Sequence, residues 1–239
     1  MKIRRILVDL DPKQANQTAI DRALRLAGSC NASIDLFASV NVQWFASDIS
    51  VDAAIMQQSR EEYFAALESW VAELAAPLRA AGVEVSSGCK WAHPRHAAII
   101  KRASEIDADL IIRMAHMHNR LERLFLSATD WELIRHAPQA LWLVKETEAQ
   151  PAVFNLLAAV DPASPDAVHV ELDQRLLEAA VALNKSLPGE LHIFHAFEPP
   201  TAVAALPLAG GAGAAAAPLP RGDVKLIDAV RDMHRSRLD

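Results

Sequence analysis

Over residues 1–147, apolar runs of about five residues alternate with longer segments whose apolar positions recur every three or four residues, and this alternation constrains the fold most. Runs this short suit buried strands, and the segments between them suit amphipathic helices. Ile3–Val8 is read as the first strand, ending at Asp9-Leu10-Asp11-Pro12, the pattern of a strand leaving a sheet at a turn. Ala19, Ala23, Leu24, Leu26 and Ala27 form a helical stripe with Gly28 as its stop, and Ser33–Phe37 is the second strand. The Ala-rich stretch 53–80 places Leu67, Trp70, Val71, Leu74 and Leu78 on one face of a long helix that ends before Gly82. Strand character at Val83–Val85, a helix over His93–Ser104, a strand at Ala108–Arg113, a helix from Ala128 or Thr129 to His136, and a strand at Ala140–Val144 complete the order.

Parallel strands joined by helices cross over right-handedly, which puts helices on both faces of a parallel sheet. The predicted fold class is therefore α/β, a five-stranded Rossmann-type sheet over 1–147. In such sheets a ligand sits beyond the carboxyl ends of the strands where strand order reverses, so the sites to inspect follow Val8, Phe37 and Ile112.

The second part of the chain echoes the first. Ile6–Pro12 is matched by Leu156–Pro162, the stripe around Leu24 by Leu176, Leu177, Ala180 and Leu183, and Leu36-Phe37 by Ile193-Phe194. The expected domains are 1–147 and a partial second repeat, 151–239, comprising strand, helix, strand, a loop over 198–222 and the amphipathic start of a helix over 223–238. A two-stranded piece cannot bury both faces of its sheet, so it must dock on the first repeat, pair with a second copy, or belong to a longer product.

The chain has 24 Lys and Arg against 30 Asp and Glu, a net charge of −6, and so lacks the overall positive field that attracts nucleic acid or an anionic membrane. Residues 201–220 carry no charge, but Ala, Gly and Pro make them too weakly apolar and too broken to span a bilayer. The basic start Met1–Arg5 is followed by an apolar run that stops at Asp9, so a cytoplasmic location is expected. Cys30 and Cys89 are too few for a disulfide framework and are read as small buried hydrophobes.

With this order of elements, the segment Arg113-Met114-Ala115-His116-Met117-His118-Asn119-Arg120-Leu121-Glu122, then Thr129-Asp130-Trp131 and Trp142-Leu143-Val144-Lys145, resembles the universal stress protein family, and most closely its tandem members of the E type. The resemblance covers 1–147 and the opening part of a second domain in 151–239. It implies a non-enzymatic stress-response module that senses a ligand or binds a partner. It also implies ATP or another adenine nucleotide as the cofactor, held by an Asp after the first strand and by a loop written G-x2-G-x9-G-[ST]. In register, Ala115, His118 and Ala128 stand at the three glycine positions and Thr129 at the hydroxyl position. No glycine occurs between residues 89 and 188, so the backbone cradle such a loop offers to phosphates is missing and the site reads as degenerate.

Asp11 and Asp161 match the family Asp of each repeat, and each is equally an Asp-Pro turn. Asp9 is read as a partner of Arg4 or Arg5. His116 and His118, two apart, could share a zinc ion with His93, His96 or Asp130 as further ligands, a lesser alternative to a nucleotide. Arg120 could neutralise an anion, and Thr129 with Asp130 most simply caps a helix. Trp131 and Trp142 are core or interface anchors. By family precedent, Leu141, Trp142, Leu143 and Val144 form a strand that pairs in a homodimer, or between the two repeats, and no nucleic-acid or membrane partner is expected. The alternative reading is a live nucleotide or metal site with weak hydrolysis.

Overall fold

The computed structural model describes residues 2–14, 17–40, 53–115, 126–145, 153–162 and 166–196. His116, His118, Arg120, the loop 198–222 and the segment 223–238 lie outside the described residues. The chain divides into two compact units, residues 2–152 and residues from 153 onward.

In the first unit the order is β1 (Arg5–Leu10), α1 (Thr18–Cys30), β2 (Ser33–Val40), α2 (Ala53–Ala80), β3 (Val85–Trp91), α3 (Arg95–Glu105), β4 (Leu110–Met114), α4 (Ala128–His136) and β5 (Ala140–Val144). All five strands are parallel, in the order β3-β2-β1-β4-β5. The steps from β1 to β2 and from β2 to β3 run one way across the sheet, and the steps to β4 and β5 run the other. Right-handed crossovers therefore place α1 and α2 on one face and α3 and α4 on the opposite face. Side chains follow the period of two: Leu7, Phe37 and Ile111 pack with Ala98, Ile99, Ala103 and Leu133 on the α3/α4 face. Ile6, Val8, Leu10 and Ile112 are fully buried on the other face.

Several boundaries differ from expectation for local reasons. Helix α1 runs past Gly28 and stops at Asn31, whose left-handed backbone (φ 54°) closes the helix while its N–H donates to the Ala27 carbonyl. An asparagine tolerates that conformation nearly as a glycine does. Strand β3 starts at Val85 and extends to Trp91, because Ile34 to Val40 of β2 offer it a partner along its whole length. Cys30 and Cys89 are half-buried. Trp131 is 46% exposed and so is not a core residue.

The second unit holds β6 (Leu156–Ala159), α5 (Ala167–Ser186) and β7 (Leu191–Phe194), the two strands pairing in parallel. Asp166 caps α5 by accepting from the Val168 N–H. Helix α5 buries no residue, and Leu157, Val168, Leu172 and Ile193 are exposed.

Candidate functional site

The strand order reverses between β1 and β4, and at the carboxyl ends of these strands charged side chains converge on the α3/α4 face. Asp9 in β1 and Arg113 in β4 are register partners. Both point to that face, and Arg113, 2% exposed, donates through Nη1 to Asp9 Oδ2. Its Nε donates to Asp130 Oδ1 at 2.6 Å. Asp130, fully buried, is fixed by the start of α4: Ser127 is the N-cap, its Oγ accepting from the Asp130 N–H at 3.2 Å, while Asp130 Oδ2 accepts from the Ser127 N–H at 2.9 Å. This is a capping box in which the second member also neutralises a buried guanidinium. Capping thus falls to Ser127, and the half-buried Thr129 sits inside the first turn.

Arg95, the first residue of α3, closes the network from the helix side. It donates from Nη1 to Asp11 Oδ2 at 2.8 Å and from Nη2 to both Asp9 oxygens at 3.2 Å and to the Leu10 carbonyl at 2.6 Å. Burial alone would lower the Arg95 guanidinium, but the carboxylates of Asp9 and Asp11 outweigh it and hold the group above its usual value. The second oxygen of Asp11 accepts from the Lys13 N–H at 3.0 Å, the Asx turn expected of Asp-Pro. Asp9 is therefore the partner of Arg113 and Arg95. Arg4 and Arg5 lie elsewhere, their backbone amides donating to Asp109 at 2.7 and 3.0 Å.

Two turns along the same face of α3, Arg102 grips a second buried strand carboxylate. Its Nε and Nη2 bind Asp35 at 3.1 and 2.6 Å, and Ser86 Oγ donates to Asp35 at 2.6 Å. Helix α3 thus runs antiparallel to β2, with Arg102 opposite Asp35, Ala98 and Ile99 packing with Phe37, and Arg95 level with the strand end. Ser39, next in that alternation, faces the first turn of α3; it is 1% exposed and its Oγ has no hydrogen-bond partner. Arg95 Nε is likewise unpartnered. Both atoms are buried.

The chemistry of this end of the sheet is set by charge. Three carboxylates, of Asp9, Asp11 and Asp130, face two guanidiniums, of Arg95 and Arg113, which leaves a residual negative charge among the described residues. A polyphosphate would meet that charge with no glycine amides to offset it. Among the described residues no group of three or more His, Cys, Asp or Glu side chains is placed to hold a metal ion. Asp161 is exposed in the second unit, where its N–H donates to Asp173 at 2.9 Å. Leu141, Trp142 and Leu143 are half-buried on the edge strand β5. Arg95, Arg113 and Ser127 were not picked out as site residues from sequence. The available signal was a charge, Asp9, Asp35 or Arg113, inside each of three apolar strands, since a buried charge demands a partner.

A model of the universal stress protein family matches residues 2–145. The chain belongs to that family. Universal stress protein E of Escherichia coli K12 is 28% identical over 193 residues, covering 80% of this chain and 61% of the relative, so the chain spans about three fifths of the length of that relative. Among solved structures, a functionally unknown protein from Pseudomonas aeruginosa PAO1 superposes with a TM-score of 0.65 at 24% identity, covering 99% of this chain and 70% of the other. Universal stress protein UspA from Lactobacillus plantarum superposes with a TM-score of 0.50 at 18% identity, covering 60% and 99%. These likenesses establish the stress-protein fold. Among the described residues no helix is long and apolar enough to cross a membrane.

Proposed function

We propose that this chain is a non-enzymatic, cytoplasmic stress-response module that works by binding a partner or sensing a ligand other than a tightly held nucleotide, its first-repeat nucleotide site being degenerate. The observation that carries this reading is the Asp11 carboxylate, which an adenine nucleotide would have to engage and which Arg95 already holds at 2.8 Å. The missing glycines at Ala115, His118 and Ala128 point the same way. Residues 151–239 are read as a partial second repeat, supported by the strand, helix and strand of its described part. Its exposed apolar side chains make that unit a surface for a partner.

Pairing through β5, with Leu141 to Val144 in contact, gives a homodimer or joins two repeats. An unpaired edge strand needs cover, and Trp131 and Ile134 of the adjacent α4 expose 46% and 47% of their surface. Restoring Gly at 115, 118 and 128 together should create measurable ATP binding by calorimetry, and an unchanged null titration would contradict a site lost through its glycines.

The second reading, a live site for a small polar molecule, draws on Ser39 and Arg95 Nε, whose buried unpartnered atoms would be satisfied by a bound group. Native mass spectrometry of the purified chain separates the two readings, since a copurified mass would favour the second. Zinc remains the lesser alternative for His116 and His118, and less than a tenth of an equivalent in the purified chain would remove it.

A further inference from the structure

In the second unit, one face of the two-stranded sheet is covered unevenly. Helix α5 lies mainly over β6, where Ala158 and Val160 are buried. Ile193, the register partner of Ala158 on β7 and so on the same face, is 47% exposed. Beside α5 lies an apolar groove of about 800 Å³ lined by Val160, Val170, Leu177, Val181, Ala182 and Ile193, with Asp173 on its wall. The helix residues among these recur at helical spacing, a stripe along one side of α5. The first unit shows what such a place holds. Leu36, the counterpart of Ile193 in the repeat, is the register partner of Val8 on the α1/α2 face and is fully buried. The helix that follows its strand, α2, packs on β2 and β3 along the buried seam Leu67, Val71, Ala75 and Leu78.

We propose that the groove on the α5 face is the docking site of this chain's own amphipathic segment 223–238. The segment follows β7 as α2 follows β2, and the second compact unit, Val153–Asp239, includes it. Its sequence puts Leu226, Ile227, Val230 and Met233 on one helical stripe, the apolar complement of the stripe on α5. In the first unit, successive right-handed crossovers in one direction bring α1 and α2 to one face, and the same hand brings 223–238 to the face of α5. Arg231 flanks the stripe beside Val230 and is opposite in charge to Asp173 on the groove wall. Residues 195–222 tether the segment, so it meets the groove at an effective concentration in about the millimolar range, which a separate molecule must outcompete. The inference rests on reading 151–239 as a partial second repeat. It narrows the partner surface of that unit to the opposite sheet face, where Leu157 and Phe194 are exposed.

The test compares hydrogen exchange of α5 in the full natural chain and in the double variant Leu226→Asp, Val230→Asp, which puts two carboxylates on the docking stripe. Docking predicts α5 amides that are protected in the natural chain and exchange at least about tenfold faster in the variant, with exchange in β1 to β5 unchanged. A cross-link identifies the occupant. In a full chain carrying Cys30→Ser and Cys89→Ser, the pair Val181→Cys and Val230→Cys should be joined by a short bismaleimide into a product of monomer mass. Leu172→Cys, exposed on the opposite side of α5, should not be joined to Val230→Cys. A product of dimer mass from the Val181 pair would give the groove to a second copy and overturn the proposal, as would no product at all. Protection of α5 that is equal in the natural chain and the double variant would overturn the docking and leave the repeat reading standing. Amides of α5 unprotected in both would overturn the two together.

Discussion

A charged side chain inside a buried strand is tolerable only where the fold returns a partner of opposite sign, and Arg113 is the clearest instance. Its guanidinium, 2% exposed, neutralises Asp9 from its own sheet and Asp130 from the start of α4. Arg113→Leu would leave the buried Asp130 carboxylate without its cation and Asp9 with Arg95 alone, and should cost about 3–5 kcal/mol, read as a fall in the urea midpoint. A loss below about 1 kcal/mol would mean that water or a shifted Arg95 neutralises Asp130 in its place. The Cys89 thiol gives a pH-dependent counterpart: burial, with the nearby Glu68 carboxylate, pushes it up to about 11. A thiol that keeps its proton in the folded chain while the unfolded chain releases it near 9.0 stabilises the fold fully below that value. That contribution disappears as pH rises from about 9 toward 11, so the thermal midpoint of the natural chain should fall more steeply over this range than that of Cys89→Ala. Equal slopes would show that Cys89 is solvated.

At the scale of elements, periodicity made most of the first unit legible, because a strand buried on both faces and a helix buried along one stripe leave different apolar spacings. Among the described residues, the order and type of the nine elements of this unit follow that reading, and α2 has the expected bounds 53–80. The boundaries that moved are those set by single-residue chemistry or by a neighbour. Asn31 ends α1 because an asparagine adopts the left-handed cap, a choice that Gly28, inside the last turn, obscured. Asn31→Gly should therefore hold or slightly raise stability, whereas Asn31→Val should lower it by about 1–2 kcal/mol in chemical denaturation. Equal effects of the two would show that the cap conformation relaxes. The site was less legible than the fold. Asp11 could be placed at the end of β1 from its turn, but its engagement by Arg95 depends on α3 running antiparallel to β2, a tertiary fact with no local signature. Strand-embedded Asp9, Asp35 and Arg113 announced a need for partners without naming them.

Over the whole first unit, the reversal of strand order between β1 and β4 creates the place where folds of this class take their ligands. Among the described residues, Arg95 and Arg113 already engage the carboxylates at that place. Helix α3 contributes a cation at its first residue, where the helix dipole would favour an anion, and carboxylates from β1 hold it there. The result, among the described residues, is a sheet end whose carboxylates are paired from within yet keep a residual negative charge, on a chain whose second unit and β5 edge present apolar surface. The most direct measurement is calorimetric titration of the full chain with magnesium ATP. The account expects no saturable heat up to about millimolar nucleotide, since Asp11 is engaged and no glycine cradle exists. A dissociation constant in the low micromolar range would contradict it, showing that Arg95 yields Asp11 to the nucleotide and that the phosphates are held without glycines.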